Sequence, residues 1–247
     1  MSNLLNLARP LLAGMLPLLI GACVGTTEVE IEGGALPVPL LERTPVNLGI
    51  YLDEELTTYV YREEIENKGT WVVPLGPIQR PMFENIGVGL FESYRFVDAA
   101  VQPASTPAST VLDGILKPAI KEVQFSLPSQ TRTNYYEVWV RYTFTLLDRA
   151  GNPVGEWNLP AYGKASDENY GSAGKGLQAA ALAACRDAMA FFSINFSREP
   201  SVRRWIAAGK PLMPAPPAKS TPDPGVGPAD NPSDEQSTNG ESAGEQA

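Results

Sequence analysis

The chain has 247 residues with no histidine, two cysteines and a formal net charge of −9. The lack of histidine excludes Ser-His-Asp and Cys-His catalysis and any histidine-ligated metal. Two thiols, Cys23 and Cys185, are too few for a thiolate zinc site or a disulfide framework. An acidic chain without a run of lysine and arginine lacks the electrostatic term that dominates nucleic-acid binding, so nucleic acid is not an expected partner. The 4 Trp, 9 Tyr and 8 Phe all lie between Thr44 and Pro211, which places a single folded domain at residues 45–210.

Residues 1–10 carry one cation, Arg9, and Leu11 to Ala22 is an almost unbroken apolar run ending in small residues. That is the form of a signal peptide over residues 1–22. The run is shorter than the roughly 20 residues a membrane span needs. It closes on Leu19-Ile20-Gly21-Ala22-Cys23, which resembles the lipobox of bacterial lipoproteins. The resemblance implies a diacylglycerol on the Cys23 thiol, further acylation by chains such as palmitate, and a mature chain starting at that residue. Val24 stands where an aspartate would retain such a protein in the inner membrane, so the resemblance implies an outer-membrane anchor with the domain facing the periplasm. Three acyl chains hold a protein on a bilayer for practical purposes permanently, whereas one binds only marginally.

Residues 23–44 read as a tether in which the alternating run Thr27 to Glu32 can pair as an edge strand. Val46 to Tyr51 is rich in β-formers, and Asp53-Glu54-Glu55-Leu56 has the acids of a helix start, predicting a short helix over Glu54 to Arg62 against the β-preference of Thr57 to Tyr61. Trp71 to Pro74 predicts a brief strand. After Pro77 the apolar residues Ile78, Met82, Phe83, Ile86 and Leu90 recur at helical spacing, with Gly87 and Gly89 weakening the last turns. Tyr94 to Val101 predicts a strand, and the tandem Pro-Ala-Ser-Thr of residues 103–110 a low-complexity loop. Val111 to Leu127 carries Gly114 and Pro118, which predict a bent or bulged strand near a sheet edge. Tyr135 to Leu147 alternates cleanly. Its core face is Tyr136, Val138, Val140, Tyr142, Phe144 and Leu146; Tyr135, Glu137, Trp139, Arg141, Thr143 and Thr145 point the other way. A turn cluster over residues 148–153 returns the chain as Val154 to Ala165. Gly176 to Asn195 predicts a helix with Leu177, Ala181, Ala184, Cys185, Ala188 and Phe192 on its buried stripe. Ser201 to Ala208 adds an amphipathic turn that buries Val202, Trp205 and Ile206. Residues 211–247, with their prolines, acids and no aromatic, are expected to be a disordered tail.

This order predicts an α+β fold, a two-layer sandwich with a mostly antiparallel sheet and helices packed on one face. The strand Val46 to Ile50, Asp113-Gly114-Ile115-Leu116 with Pro118 and Ile120, the hairpin from Asp148 to Val154 and the helical segment Leu182 to Met189 together resemble the periplasmic YajG-type lipoproteins. More distantly they resemble the modules of the TolB amino-terminal and CsgG types.

Few residues suggest chemistry. Glu54, Glu55, Glu63, Glu64 and Glu66 could supply a carboxylate pair of the glycosidase kind, but acids near a helix start in an acidic protein form a solvated face. Gly171 to Gly176 has the glycines of an anion loop without Walker spacing, and reads as a helix entry. Lys164 and Ser166 share a strand face without the context of a catalytic dyad, and Cys185 falls on the buried stripe as an inert thiol. No cofactor or metal is expected. Tyr135, Trp139 and Arg141, aromatic and charged together on the outer strand face, are the candidate contact with a protein partner. The expected function is a non-catalytic accessory or scaffold in an envelope assembly or transport complex. The alternatives are a module that takes a lipid or glycan in a sheet or helix groove and, third, a carboxylate hydrolase.

Overall fold

The computed structural model of the chain describes residues 25–31, 36–101 and 111–209. The expected signal peptide, Cys23, the Pro-Ala-Ser-Thr repeat and the expected disordered tail lie outside the described residues. In chain order the elements are β1 (Thr26–Glu28), β2 (Thr44–Ile50), α1 (Glu54–Thr57), β3 (Val60–Ile65), β4 (Gly69–Pro74), α2 (Gly76–Leu90) and β5 (Phe91–Phe96). Then come β6 (Gly114–Ser126), α3 (Pro128–Thr131), β7 (Tyr135–Asp148), β8 (Pro153–Ser166), α4 (Ala173–Asn195) and α5 (Pro200–Gly209). The fold is α+β. A five-stranded sheet runs β5-β2-β6-β7-β8, and a three-stranded sheet runs β1-β4-β3.

The long strands β6, β7 and β8 pair antiparallel, and β2 pairs parallel with both β5 and β6. The β7–β8 turn is locked by the Asp148 carboxylate, which accepts from the Ala150 and Asn152 amides at 2.8 Å each. Gly151 takes φ +83°, a conformation that favours glycine. The expected core face of β7 is the observed one: Tyr136, Val138, Val140, Tyr142, Phe144 and Leu146 are all buried. Helices α2 and α4 both pack on it. Phe83 of α2 meets Phe144 at 6.2 Å between ring centroids, and Phe192 of α4 meets the same ring at 4.7 Å.

The alanines of α4 serve close approach. A side chain at Gly163 of β8 would collide with the Ala180 carbonyl oxygen and the Ala184 nitrogen of α4, so strand and helix backbones are nearly in contact. By length and composition α4 could cross a membrane. Its buried stripe, from Leu177 through Ala184 and Cys185 to Phe192, instead packs on the sheet.

Four expectations are corrected. The helix after Asp53, capped on the Leu56 amide, stops at Thr57, one turn long, and Val60 to Ile65 is strand, because its β-branched and aromatic run finds a partner in antiparallel β4. The strand placed at Tyr94 to Val101 is shifted to Phe91–Phe96, since α2 ends at Leu90 and runs straight into it. The strand containing Pro118 is not at a sheet edge but third of five. Its bulge is real, falling between Ile120 and Glu122. Proline is tolerated there because β2 registers with β6 only over Gly114 to Leu116, so Pro118, without an N–H, stands where β7 is the one registered neighbour. Of the three apolar residues expected to be buried by the last helix, Val202 is buried, and Trp205 and Ile206 are half-buried.

Candidate functional site

Two surfaces gather chemistry. The first is the outer face of β7 and β8. Tyr135 is 39% exposed, Trp139 40% and Tyr162 37%, so each ring keeps more than a third of its surface in water. The β7–β8 register sets Trp139 opposite Tyr162, and the two rings lie 5.2 Å apart with their planes at 39°. The Tyr162 hydroxyl donates to Glu137 Oε1 at 2.6 Å. That bond to a carboxylate, aided by burial, pushes the phenol pKa up to about 12. The Lys164 ammonium lies 4.8 Å from the Tyr135 ring centroid, and Arg141 is ion-paired with Glu122 of β6. Glu137 thus holds the Tyr162 ring and Lys164 sits over Tyr135, while Arg141 is tied to the neighbouring strand. Glu137 also accepts from Ser126 of β6 at 3.1 Å.

Tyr135, Trp139 and Arg141 are thus brought together as the strand alternation implies. Tyr162 and Lys164 complete the cluster and were missed as members of it. The signal was available: Leu159, Ala161, Gly163 and Ala165 alternate with Pro160, Tyr162 and Lys164, but the partner of each residue depends on the hairpin register. On the edge side of β8, the Tyr162 amide donates to Asp187 of α4 at 2.9 Å, so a helix carboxylate occupies one free edge donor.

The second surface is a cleft of about 610 Å³ between residues 41–45, the end of α2, the end of α4 and α5. Arg43, Arg198 and Arg203 line it from three separate segments, against one lining acid, Glu42. All three arginines are exposed, and none takes part in an ion pair among the described residues. Ser193, 4% exposed, lines the same cleft, and its hydroxyl has no hydrogen-bond partner among the described residues. A linear reading sees no basic cluster, because positions 43, 198 and 203 meet only in the folded chain.

The remaining candidates take structural places. Cys185 is fully buried, and burial pushes its thiol up to about 12. It adjoins the Tyr142 hydroxyl, itself pushed well above the usual phenol range by burial. Gln79 of α2 completes this interior group, donating to the Leu75 carbonyl at 2.9 Å and to the Tyr142 hydroxyl at 3.1 Å. The glycine-rich segment before α4 is a helix entry, in which Ser172 caps by accepting from the Lys175 amide. Glu54 and Glu55 lie exposed in the first turn of α1, and Glu64 and Glu66 are exposed too. Glu63 accepts from the Tyr61 hydroxyl at 3.1 Å across the same strand face. Among the described residues no group of three or more Cys, Asp or Glu side chains is placed to hold a metal ion.

No protein-family model matches the chain, and no curated protein matches it. Solved structures do. A Xanthomonas campestris protein of family DUF330 is 7% identical with a TM-score of 0.43, over 71% of this chain and 98% of that one. A Helicobacter pylori chain described as a homologue of neuraminyllactose-binding hemagglutinin is 9% identical with a TM-score of 0.39, over 73% and 98%. A Caulobacter crescentus chain described as a candidate lipoprotein is 16% identical with a TM-score of 0.30, over 44% and 74%. At these identities and scores the likenesses carry no argument about function.

Proposed function

We propose that the protein is a non-catalytic outer-membrane lipoprotein, anchored through Cys23, whose periplasmic domain is an accessory or scaffold in an envelope assembly or transport complex. The observation that carries the scaffold reading is the paired, exposed Trp139 and Tyr162 at the outer face of β7–β8. Large exposed aromatics are the residues that contribute most to protein contacts, and the Tyr162 ring, already fixed by its bond to Glu137 and its contact with Trp139, loses less entropy on binding. The lipobox-like run ending at Cys23 supports the anchor.

The test has two arms. Intact-mass measurement of the membrane-extracted chain is expected to give an acylated chain beginning at Cys23; an unmodified chain, or one retaining residues 1–22, overturns the anchor. Mild crosslinking in cells followed by purification is expected to recover an envelope protein at fixed stoichiometry with wild type and markedly less with Trp139→Ala. Equal recovery with that variant overturns the assigned face.

A further inference from the structure

The aromatic face leaves the arginine cleft unexplained. Its lining is of two kinds. Arg43, Arg198 and Arg203 contribute three cations, each unpaired with a carboxylate among the described residues. Leu41, Leu90, Ile194 and Ile206 contribute hydrocarbon. Leu41 is 44% exposed and Ile194 47%, so part of this apolar lining faces water. The Ser193 hydroxyl, which lines the same cleft, is buried without a partner among the described residues, and such a hydroxyl is costly to leave unsatisfied unless something donates to it or accepts from it. The volume lies within the range of small-molecule sites, about 300–1,000 Å³.

We infer that this cleft binds an anionic amphiphile, with its phosphate or carboxylate head on Arg43, Arg198 and Arg203 and its hydrocarbon against Leu41, Leu90, Ile194 and Ile206. A free inorganic anion leaves the apolar wall wet, and a neutral lipid leaves three cations unmatched; a molecule that is both anionic and apolar uses the whole lining. Guanidinium groups suit the head because their fork of N–H donors matches phosphate and carboxylate oxygens in pairs.

The position of the cleft argues for a bound molecule rather than for contact with the supporting bilayer. Thr27 of β1, four residues after Cys23, lies beside Gly174 at the start of α4. Ser193 is nineteen residues further along that helix, about 28 Å at 1.5 Å per residue. On the anchored reading, the cleft therefore opens at the end of the domain away from the lipid attachment. This orientation rests on the anchor at Cys23; the ligand chemistry does not.

The experiment is native mass spectrometry of the full chain, extracted in a neutral detergent and titrated with dihexanoyl phosphatidylglycerol, dihexanoyl phosphatidylcholine or inorganic phosphate. One phosphatidylglycerol is expected to bind per chain, with phosphatidylcholine and phosphate each at least about tenfold weaker. Arg198→Gln with Arg203→Gln, both exposed positions that leave the core intact, is expected to weaken phosphatidylglycerol by at least about tenfold. Ile194→Gln is expected to weaken phosphatidylglycerol and leave phosphate unchanged, and Lys68→Gln, an exposed lysine between β3 and β4, is expected to leave both unchanged. Equal binding of the two lipids, phosphate binding as tight as phosphatidylglycerol, or an unaffected double arginine variant would each overturn the assignment. None of these outcomes bears on Trp139 and the partner face, which the crosslinking test reads separately.

Discussion

The two faces of β7 carry similar side chains to opposite ends. On one face Tyr142 and Phe144 are fully buried; on the other Tyr135 and Trp139 keep more than a third of their surface in water. The buried Tyr142 satisfies its hydroxyl with Gln79 and lies next to Cys185, so its polar atom is matched inside the fold. The exposed rings are framed instead by Glu137, Arg141 and Lys164, which water also solvates. An aromatic residue in this protein is therefore a stability element or an interaction element according to the side of the strand it occupies. Substitutions on the two sides should separate accordingly.

The largest effect is expected at Phe144, which touches Phe83, Tyr142, Trp157 and Phe192. Phe144→Ala removes a ring from the centre of the core and is expected to cost about 3–5 kcal/mol in a denaturant titration. A cost below 1 kcal/mol would show that the core closes around the gap. Gly163→Val comes next. The new side chain collides with the α4 backbone, and overpacking of this kind costs about 1–3 kcal/mol. A variant of unchanged stability would mean that α4 is not seated on β8 as described.

A smaller effect is expected for Tyr142→Phe, about 1 kcal/mol, from the lost partner of Gln79. The same interior group makes the fold sensitive to alkali. The Cys185 thiol is raised from 9.0 to about 12 by burial, so the unfolded state ionises first. Its contribution to stability is fully present below pH 9 and is lost as pH rises through the folded value near 12. Tyr142 shifts in the same direction and adds to the loss above the ordinary phenol range. Cys185→Ala is expected to make the decline between pH 9 and 11 shallower, while a slope equal to that of wild type would place the sensitivity elsewhere. Consistent with burial, a thiol reagent is expected to label Cys185 only after denaturation.

Trp139→Ala is expected to have the smallest effect on stability, below about 1 kcal/mol, although it removes the largest side chain of the set. Its effect is expected in partner recovery. A loss of several kcal/mol would make Trp139 a core residue in solution and erase the contrast between the two faces.

Much of this was legible in the sequence because the relevant signal is local. The alternation over Tyr135 to Leu146 picked out the core face of β7, although Thr143 on the opposite face is buried as well, and the helical spacing around Cys185 placed the thiol inside. Asp148, Gly151 and Asn152 marked the hairpin. Where two local tendencies competed, as between the Asp53 cap and the β-rich Thr57 to Tyr61, spacing alone did not decide, and the pairing of β3 with β4 did.

By itself the sequence determined the periodic elements, the inward and outward faces of β7, the fate of Cys185 and the absence of histidine chemistry, since each follows from residue type and spacing within one segment. Only the tertiary structure decided that Pro118 sits in an inner strand beyond the end of β2, that Tyr162 stands against Trp139, and that Arg43, Arg198 and Arg203 share one cleft. Those facts depend on strand register and on which chain ends meet in space. Both are set by packing between segments far apart in sequence, where no local pattern carries the information.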